Sequence, residues 1–266
     1  MKKLLSVCIP TYEMRGLGTK FLKRSFDILA GQTFKNFDVV VSDHSENDEI
    51  KNLCGSYGKI LDVKYFRNAE SRGSSSANIN NAIKNAGGML VKILFQDDFL
   101  YKNDSLEEIV KNFDLKRDRW LLTGCIHTKD AINFFRPFCP RYDDETILFK
   151  NTVSSPSVLT IKNENPILFD ENLIWFMDVD YYKRCYQKFG GPKILKEINV
   201  VNMMGPHQVT NVLATENTKE KEWNYIVDKY NIEHPRWLKA KYKINKYKRI
   251  LKGKIKAGSK TKTWKH

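Results

Sequence analysis

Short apolar runs alternate with helically spaced stretches along the first 115 residues, and few architectures accept that order. Residues 4–9 are a buried-strand run ended by Pro10, which has no N–H to give a ladder. Phe21, Leu22, Phe26, Leu29 and Ala30 then recur at helical spacing over 19–30, with Gly31 where a C′ glycine belongs. A second strand over 37–41 leads into Ser42-Asp43-His44-Ser45, and a weaker helix covers about 47–54. A third strand, 63–66, runs into a polar loop over 67–73. A helix over 74–86 closes at Gly87-Gly88, and a fourth strand, 89–95, meets Gln96-Asp97-Asp98. Asp104 is placed to N-cap the helix that follows. This order predicts an α/β fold with a mostly parallel sheet flanked by helices. Ligands of such sheets bind beyond the carboxyl ends of the strands. Four polar clusters end these strands: Thr11-Tyr12-Glu13, Asp43-His44-Ser45, the 67–73 loop and Asp97-Asp98.

The second half is less regular. Strands are predicted over 120–126, 158–161 and 194–204, and helices over 177–189 and 216–230, around an aromatic and proline-rich loop with an edge strand at 130–150. No stretch reaches the ~18 apolar residues of a membrane span. The five cysteines are widely spaced without a C-x-x-C pair, which argues for a reducing cytoplasmic setting and against a disulfide framework or structural zinc. Charge is uneven. The formal net charge is +14, and residues 236–266 hold 13 lysines and arginines with no acid, which leaves +1 for the rest.

Asp97 and Asp98 are adjacent carboxylates at a strand end, and a divalent cation relieves their repulsion. Hard oxygen ligands suit Mg²⁺ or Mn²⁺, and such an ion neutralises a diphosphate leaving group. A turn with Asp98 capping a helix is the plainer alternative. No G-x-G-x-x-G and no G-x-x-x-x-G-K-[ST] occurs, which argues against a nicotinamide dehydrogenase and a P-loop NTPase.

Three segments carry a resemblance: Ser6-Val7-Cys8-Ile9-Pro10-Thr11-Tyr12-Glu13, then 32–43 from Gln32-Thr33 to Ser42-Asp43, then Phe95-Gln96-Asp97-Asp98. Their order resembles the GT-A glycosyltransferases of family 2, closely over 4–115 and loosely over 150–210. The resemblance implies a nucleotide-sugar donor, usually a UDP-sugar, a divalent metal and inversion at the anomeric carbon. It implies a nucleotide-sugar-binding half at 1–115 and an acceptor and catalytic-base half of the same domain at 116–235. Pro10, Thr11, Tyr12 and Glu13 would surround the base and ribose, and Asp43 would accept the uracil N–H. Asp97 would contact ribose or metal, and Asp98 would be the principal metal ligand. Phe95 stands where many members carry the first acid of D-x-D. Arg72 would reach the diphosphate. Phe169-Asp170-Glu171-Asn172-Leu173 followed by Met177-Asp178-Val179-Asp180 resembles the segment holding the family's base, and Asp178 matches that base. A helix N-terminus favours its charged form. Ser154-Ser155-Pro156-Ser157 falls where the family lines its acceptor site, and His207 matches an additional metal ligand of some members.

From Trp237 onward, Ala240, Ile244, Tyr247, Leu251 and Ile255 recur at helical spacing among lysines, with aromatics interleaved. This predicts a basic amphipathic extension over 236–266 suited to an anionic membrane surface. The expected protein is an inverting, metal-dependent glycosyltransferase, cytoplasmic or peripheral on the inner face of the membrane, acting on a glycan or lipid-linked saccharide acceptor. Two other readings compete with it. A sugar nucleotidyltransferase needs a longer glycine-rich, basic signature than Gly16-Leu17-Gly18. A nucleic-acid binder acting through the tail lacks any recognised motif in the body, so no nucleic-acid partner is expected.

Overall fold

The computed structural model describes residues 2–143, 146, 151–208, 214–233 and 240. Its first unit is parallel. β1 (Leu5–Thr11) lies between β2 (Phe37–Asp43) and β4 (Leu90–Ile93), and β2 pairs with β3 (Val63–Arg67). The crossovers carry α1 (Gly18–Ala30), α2 (Glu49–Tyr57) and α3 (Ser75–Lys84). β1 and β2 are buried along their whole length, as strands covered on both faces require. Leu22, Phe26 and Leu29 bury one stripe of α1 completely. Truncating a fully buried ring such as Phe26 to alanine costs about 3–5 kcal/mol. Ser74 caps α3 by accepting from the Ala77 N–H at 3.1 Å.

The second half joins the same sheet. β5 (Phe99–Leu100), β6 (Trp120–Thr128), β7 (Phe134–Phe138), β8 (Leu159–Lys162) and β9 (Lys193–Met203) extend the order to β3-β2-β1-β4-β8-β6-β9-β5, with β7 beside β6. β6 and β9 are parallel, while β4–β8, β5–β9, β6–β7 and β6–β8 are antiparallel. Around it lie α4 (Ser105–Asn112), α5 (Met177–Phe189) and α6 (Glu216–Lys229).

Three local expectations are corrected. Asp104 makes no side-chain cap; the Gln32 carboxamide oxygen accepts the Leu106 N–H at 3.0 Å at the start of α4 instead. Gly31 ends α1 with φ −79°, a right-handed conformation that needs no glycine. β4 stops at Ile93, because Phe95 turns its N–H to the Ser157 hydroxyl at 2.9 Å. Gly88, by contrast, is obligatory: a Cβ there would lie 2.6 Å from the Ser6 nitrogen. No helix of the described residues is long and apolar enough to cross a membrane. The extension expected over 236–266 lies outside the described residues apart from Ala240.

Candidate active site

A cavity of about 620 Å³ opens beyond the carboxyl ends of β1, β2 and β4. Pro10, Tyr12 and Glu13 line it from the β1 end, and His44 and Glu46 from the β2 end. Arg72, Asp97, Asp98 and Ser155 border it next, and Asp178 and His207 reach it from the second half. The four strand-end clusters therefore do meet at one rim.

Gln96 clasps two parts of that rim. Its carboxamide oxygen accepts the Tyr12 N–H at 3.0 Å, and its nitrogen donates to the Gly18 carbonyl at 2.8 Å. The approach is close enough that a Cβ on Gly18 would lie 2.3 Å from the Tyr12 carbonyl oxygen. Arg72 borders the cavity while paired with Glu46 at 3.2 Å.

Thr11 and Asp43 sit beneath the rim. Both are fully buried. The Asp43 carboxylate accepts from Tyr65 Oη at 2.8 Å, the Ser45 N–H at 2.9 Å and Thr11 Oγ1 at 3.4 Å. It shapes the end of β2, and its neighbour His44 takes the cavity face.

The two adjacent aspartates have opposite environments. Asp98 turns inward: Oδ1 accepts the Met203 N–H at 2.9 Å, and Oδ2 accepts Asn202 Nδ2 at 2.8 Å and Ser155 Oγ at 3.1 Å. Burial, with Asp97 beside it, pushes its pKa up. Asp97 faces His207, with Oδ2 3.2 Å from Nε2. That imidazole nitrogen is buried and makes no well-aligned hydrogen bond. A carboxylate oxygen beside an unsatisfied imidazole nitrogen is a donor pair that fits Mn²⁺ or Mg²⁺ completed by other ligands. Among the described residues no group of three or more His, Cys, Asp or Glu side chains is arranged for a metal ion. Asp98, expected as the principal ligand, thus spends both oxygens on hydrogen bonds to Ser155, Asn202 and Met203, while Asp97 Oδ2 faces His207.

Asp178 opens α5 and is half-buried at the cavity wall. Its carboxylate accepts the Val179 N–H at 2.7 Å and the Asn151 side-chain amide. Burial outweighs these bonds and pushes its pKa up to about 7. The helix N-terminus favours the charged form, and desolvation outweighs it here. Asp180 is fully buried against Arg184, Lys229 and Tyr230.

Several site residues escaped the sequence reading. Arg24 donates to the Asp97 carbonyl at 2.7 Å and lies over the Phe99 ring. Asn202 bridges Asp98 and Ser155. Lys92, fully buried in β4, donates to the Ser157 carbonyl, and burial pushes its pKa down to about 7. A lysine inside an apolar run was a readable signal; the others depend on distant pairings.

A parallel βαβ sheet with this rim is the architecture of an α/β protein that binds its ligand beyond the carboxyl ends of the strands. Residues 6–153 match the model of glycosyl transferase family 2, and the chain belongs to that family of GT-A glycosyltransferases. It is 32% identical over 97 residues to a Campylobacter jejuni GalNAc(5)-diNAcBac-PP-undecaprenol beta-1,3-glucosyltransferase, covering 36% of this chain and 30% of that one. An uncharacterized glycosyltransferase of Rickettsia prowazekii is 30% identical over 199 residues, 69% of this chain and 59% of the relative. The chain thus spans less than two thirds of either relative. Among solved structures, Staphylococcus aureus TarS 1-349 in complex with UDP-GlcNAc superposes with a TM-score of 0.66 at 20% identity, over 85% of this chain and 66% of that one. Pyrobaculum calidifontis mannosyltransferase PcManGT, in complex with GDP-Man and Mn²⁺, gives 0.55 at 15% identity, over 77% and 58%. These two likenesses are of fold.

Proposed function

We propose that the chain transfers a sugar from a UDP-sugar, with inversion, to an acceptor hydroxyl that Asp178 deprotonates. The observation that carries this reading is one cavity holding two differently prepared ends. Asp97 and His207 stand at one, and a carboxylate with its pKa raised to about 7 stands at the other. A base with a pKa near the working pH combines availability with driving force for proton transfer. Asp178 takes the acceptor proton on a carboxylate oxygen as that hydroxyl attacks the anomeric carbon from the face opposite the diphosphate.

Tyr12 offers a half-buried ring to the nucleoside base, and Pro10 lines the same wall. Glu13 carries a buried oxygen without a partner, suited to a ribose hydroxyl. Thr11 and Asp43 support this wall from below, so the direct uracil contact expected of Asp43 passes to the residues on its surface. Asp97 and His207 would hold Mn²⁺ or Mg²⁺, whose chemistry is to neutralise the charge growing on the departing diphosphate. Asp98 keeps the turn in place. Arg72, at the rim, is a second positive charge within the cavity for the phosphates.

TarS structures with UDP and UDP-GlcNAc support a UDP-sugar donor. The lipid-linked substrate in the Campylobacter relative's name supports a lipid-linked saccharide acceptor. The basic residues of 236–266 would then bring the enzyme to the inner membrane face. The test is a panel of UDP- and GDP-sugars assayed for metal-dependent hydrolysis, with Asp178→Asn alongside wild type. UDP-sugar hydrolysis that requires Mn²⁺ or Mg²⁺ and falls ~10²–10⁴-fold in the variant is expected. Metal-independent hydrolysis, or a variant as fast as wild type, overturns it.

A further inference from the structure

We infer that Glu222, on α6 and outside the segment matched by the family model, is a positioning residue that sets the wall carrying Asp178. The inference rests on Asp178 being the base.

Glu222 is 5% exposed. Its carboxylate accepts three consecutive backbone N–H groups, Ile174 at 2.8 Å, Trp175 at 2.9 Å and Phe176 at 2.9 Å. Phe176 is the N-cap residue of α5 and has no side-chain oxygen to serve as a cap. The first turn of a helix leaves backbone donors without partners. Here a carboxylate from another helix supplies the acceptor, and charge near a helix N-terminus is favourable. Ile174, Trp175, Met177 and Asp178 all line the cavity, so the three N–H groups belong to the wall itself.

The face of α6 that delivers Glu222 is fixed by its other residues. Trp223 and Ile226 are buried in the core. Lys229 bridges Asp170 at 2.6 Å and Asp180 at 2.7 Å, and Tyr225 donates to Asp170 at 2.7 Å. Residues 222, 225, 226 and 229 share one helical face. Asp170 precedes the wall and Asp180 follows it, so α6 grips the segment on both sides and at its centre. In glutamine an NH2 donor replaces one carboxylate oxygen, which leaves two acceptor sites for three N–H groups, and the segment relaxes.

Displacement of a reacting group by about 1 Å costs ~10²-fold in rate. The experiment uses the full chain, the UDP-sugar found by the hydrolysis panel, and UDP with Mn²⁺ as the binding probe. Glu222→Gln is isosteric; Glu222→Ala is its harsher companion. Hydrolysis kcat is expected to fall ~10- to 10²-fold in Glu222→Gln with UDP affinity and donor KM unchanged. Amide exchange is expected to quicken over 174–178 and not over β1. In an Asp178→Asn background, adding Glu222→Gln should cost nothing further, because the two act through one group. A wild-type kcat in Glu222→Gln, a loss that persists in the Asp178→Asn background, or an equal loss of UDP binding overturns the inference. Wild-type hydrolysis by Asp178→Asn alone instead removes the base assignment on which it stands.

Discussion

His207 Nε2 lies 3.2 Å from Asp97 Oδ2, and α1 holds both members of the pair. Phe21 packs its ring 4.8 Å from the His207 ring, and Arg24, one turn on, donates to the Asp97 carbonyl at 2.7 Å. A single helix thus aligns a loop after β9 with a turn after β4.

That arrangement separates the two aspartates experimentally. UDP at 100 times its Kd should add about 2.7 kcal/mol of stability, and only with Mn²⁺ or Mg²⁺ present. Asp97→Ala should abolish that gain while leaving the resting melting temperature near wild type. Asp98→Ala should lower the resting melting temperature itself, since each orphaned buried donor costs about 1–3 kcal/mol. Differential scanning fluorimetry reads both. Equal behaviour of the two variants would refute the division of roles.

Gly205→Ala tests His207 without touching it. A Cβ at 205 would lie 2.6 Å from His207 Cε1 and 2.7 Å from Nδ1, so the ring must move. The metal-dependent part of the UDP shift should shrink, and the far-ultraviolet spectrum should not change.

Asp178 gives a pH prediction whose sign differs between activity and stability. Activity needs the ionised base, so kcat should fall about tenfold per pH unit below about 7. For stability, the folded pKa lies above the ordinary value of 3.8. Between the two values the folded state holds a proton that the unfolded state has lost, so stability declines as pH rises through that window. Asp178→Asn should therefore melt above wild type at pH 8, and the gain should vanish toward pH 4. Melting curves across that range check it.

Residues 236–266 predict vesicle binding. Each lysine or arginine near an anionic surface is worth about 1 kcal/mol, and this segment holds 13 without an acid. The full chain should pellet with anionic vesicles at low salt and be released at high salt. A chain ending at Pro235 should stay in solution and still bind UDP. Equal pelleting of both would place the membrane contact elsewhere.

The parallel unit was legible because its signals are local: apolar runs of strand length, helical spacing between them, and glycine or proline at the joints. β5 escaped, since two residues carry no period. The end of β4 was overrun because Leu94 and Phe95 are apolar, while the partner that bends the chain, Ser157, lies far along the sequence. At the site, the sequence located the Asp97-Asp98 pair and Asp178. It made Asp98 the principal metal ligand, whereas Asp98 turns inward and Asp97 faces His207, because adjacent residues on a turn can face opposite ways. Glu222 and Asn202 were unreadable for a related reason: a polar residue that caps or bridges a distant segment looks, locally, like any solvated one.

The interleaved sheet has a consequence for biosynthesis. β5, at residues 99–100, has its partner in β9, at residues 200–201, and the Oδ1 of Asp98 waits for the Met203 N–H. A ribosome adding about 5–20 residues per second takes roughly 5–20 s to cover that interval. During it, β1, β2 and β3 can zip together, but Lys92 and Asp98 still stand in water without their later neighbours. Polar residues at that sheet margin keep the nascent edge hydrated and unattractive to other chains. Until Ser157 and Met203 emerge, Lys92 and Asp98 therefore put charge at an open sheet margin, which disfavours edge-to-edge pairing.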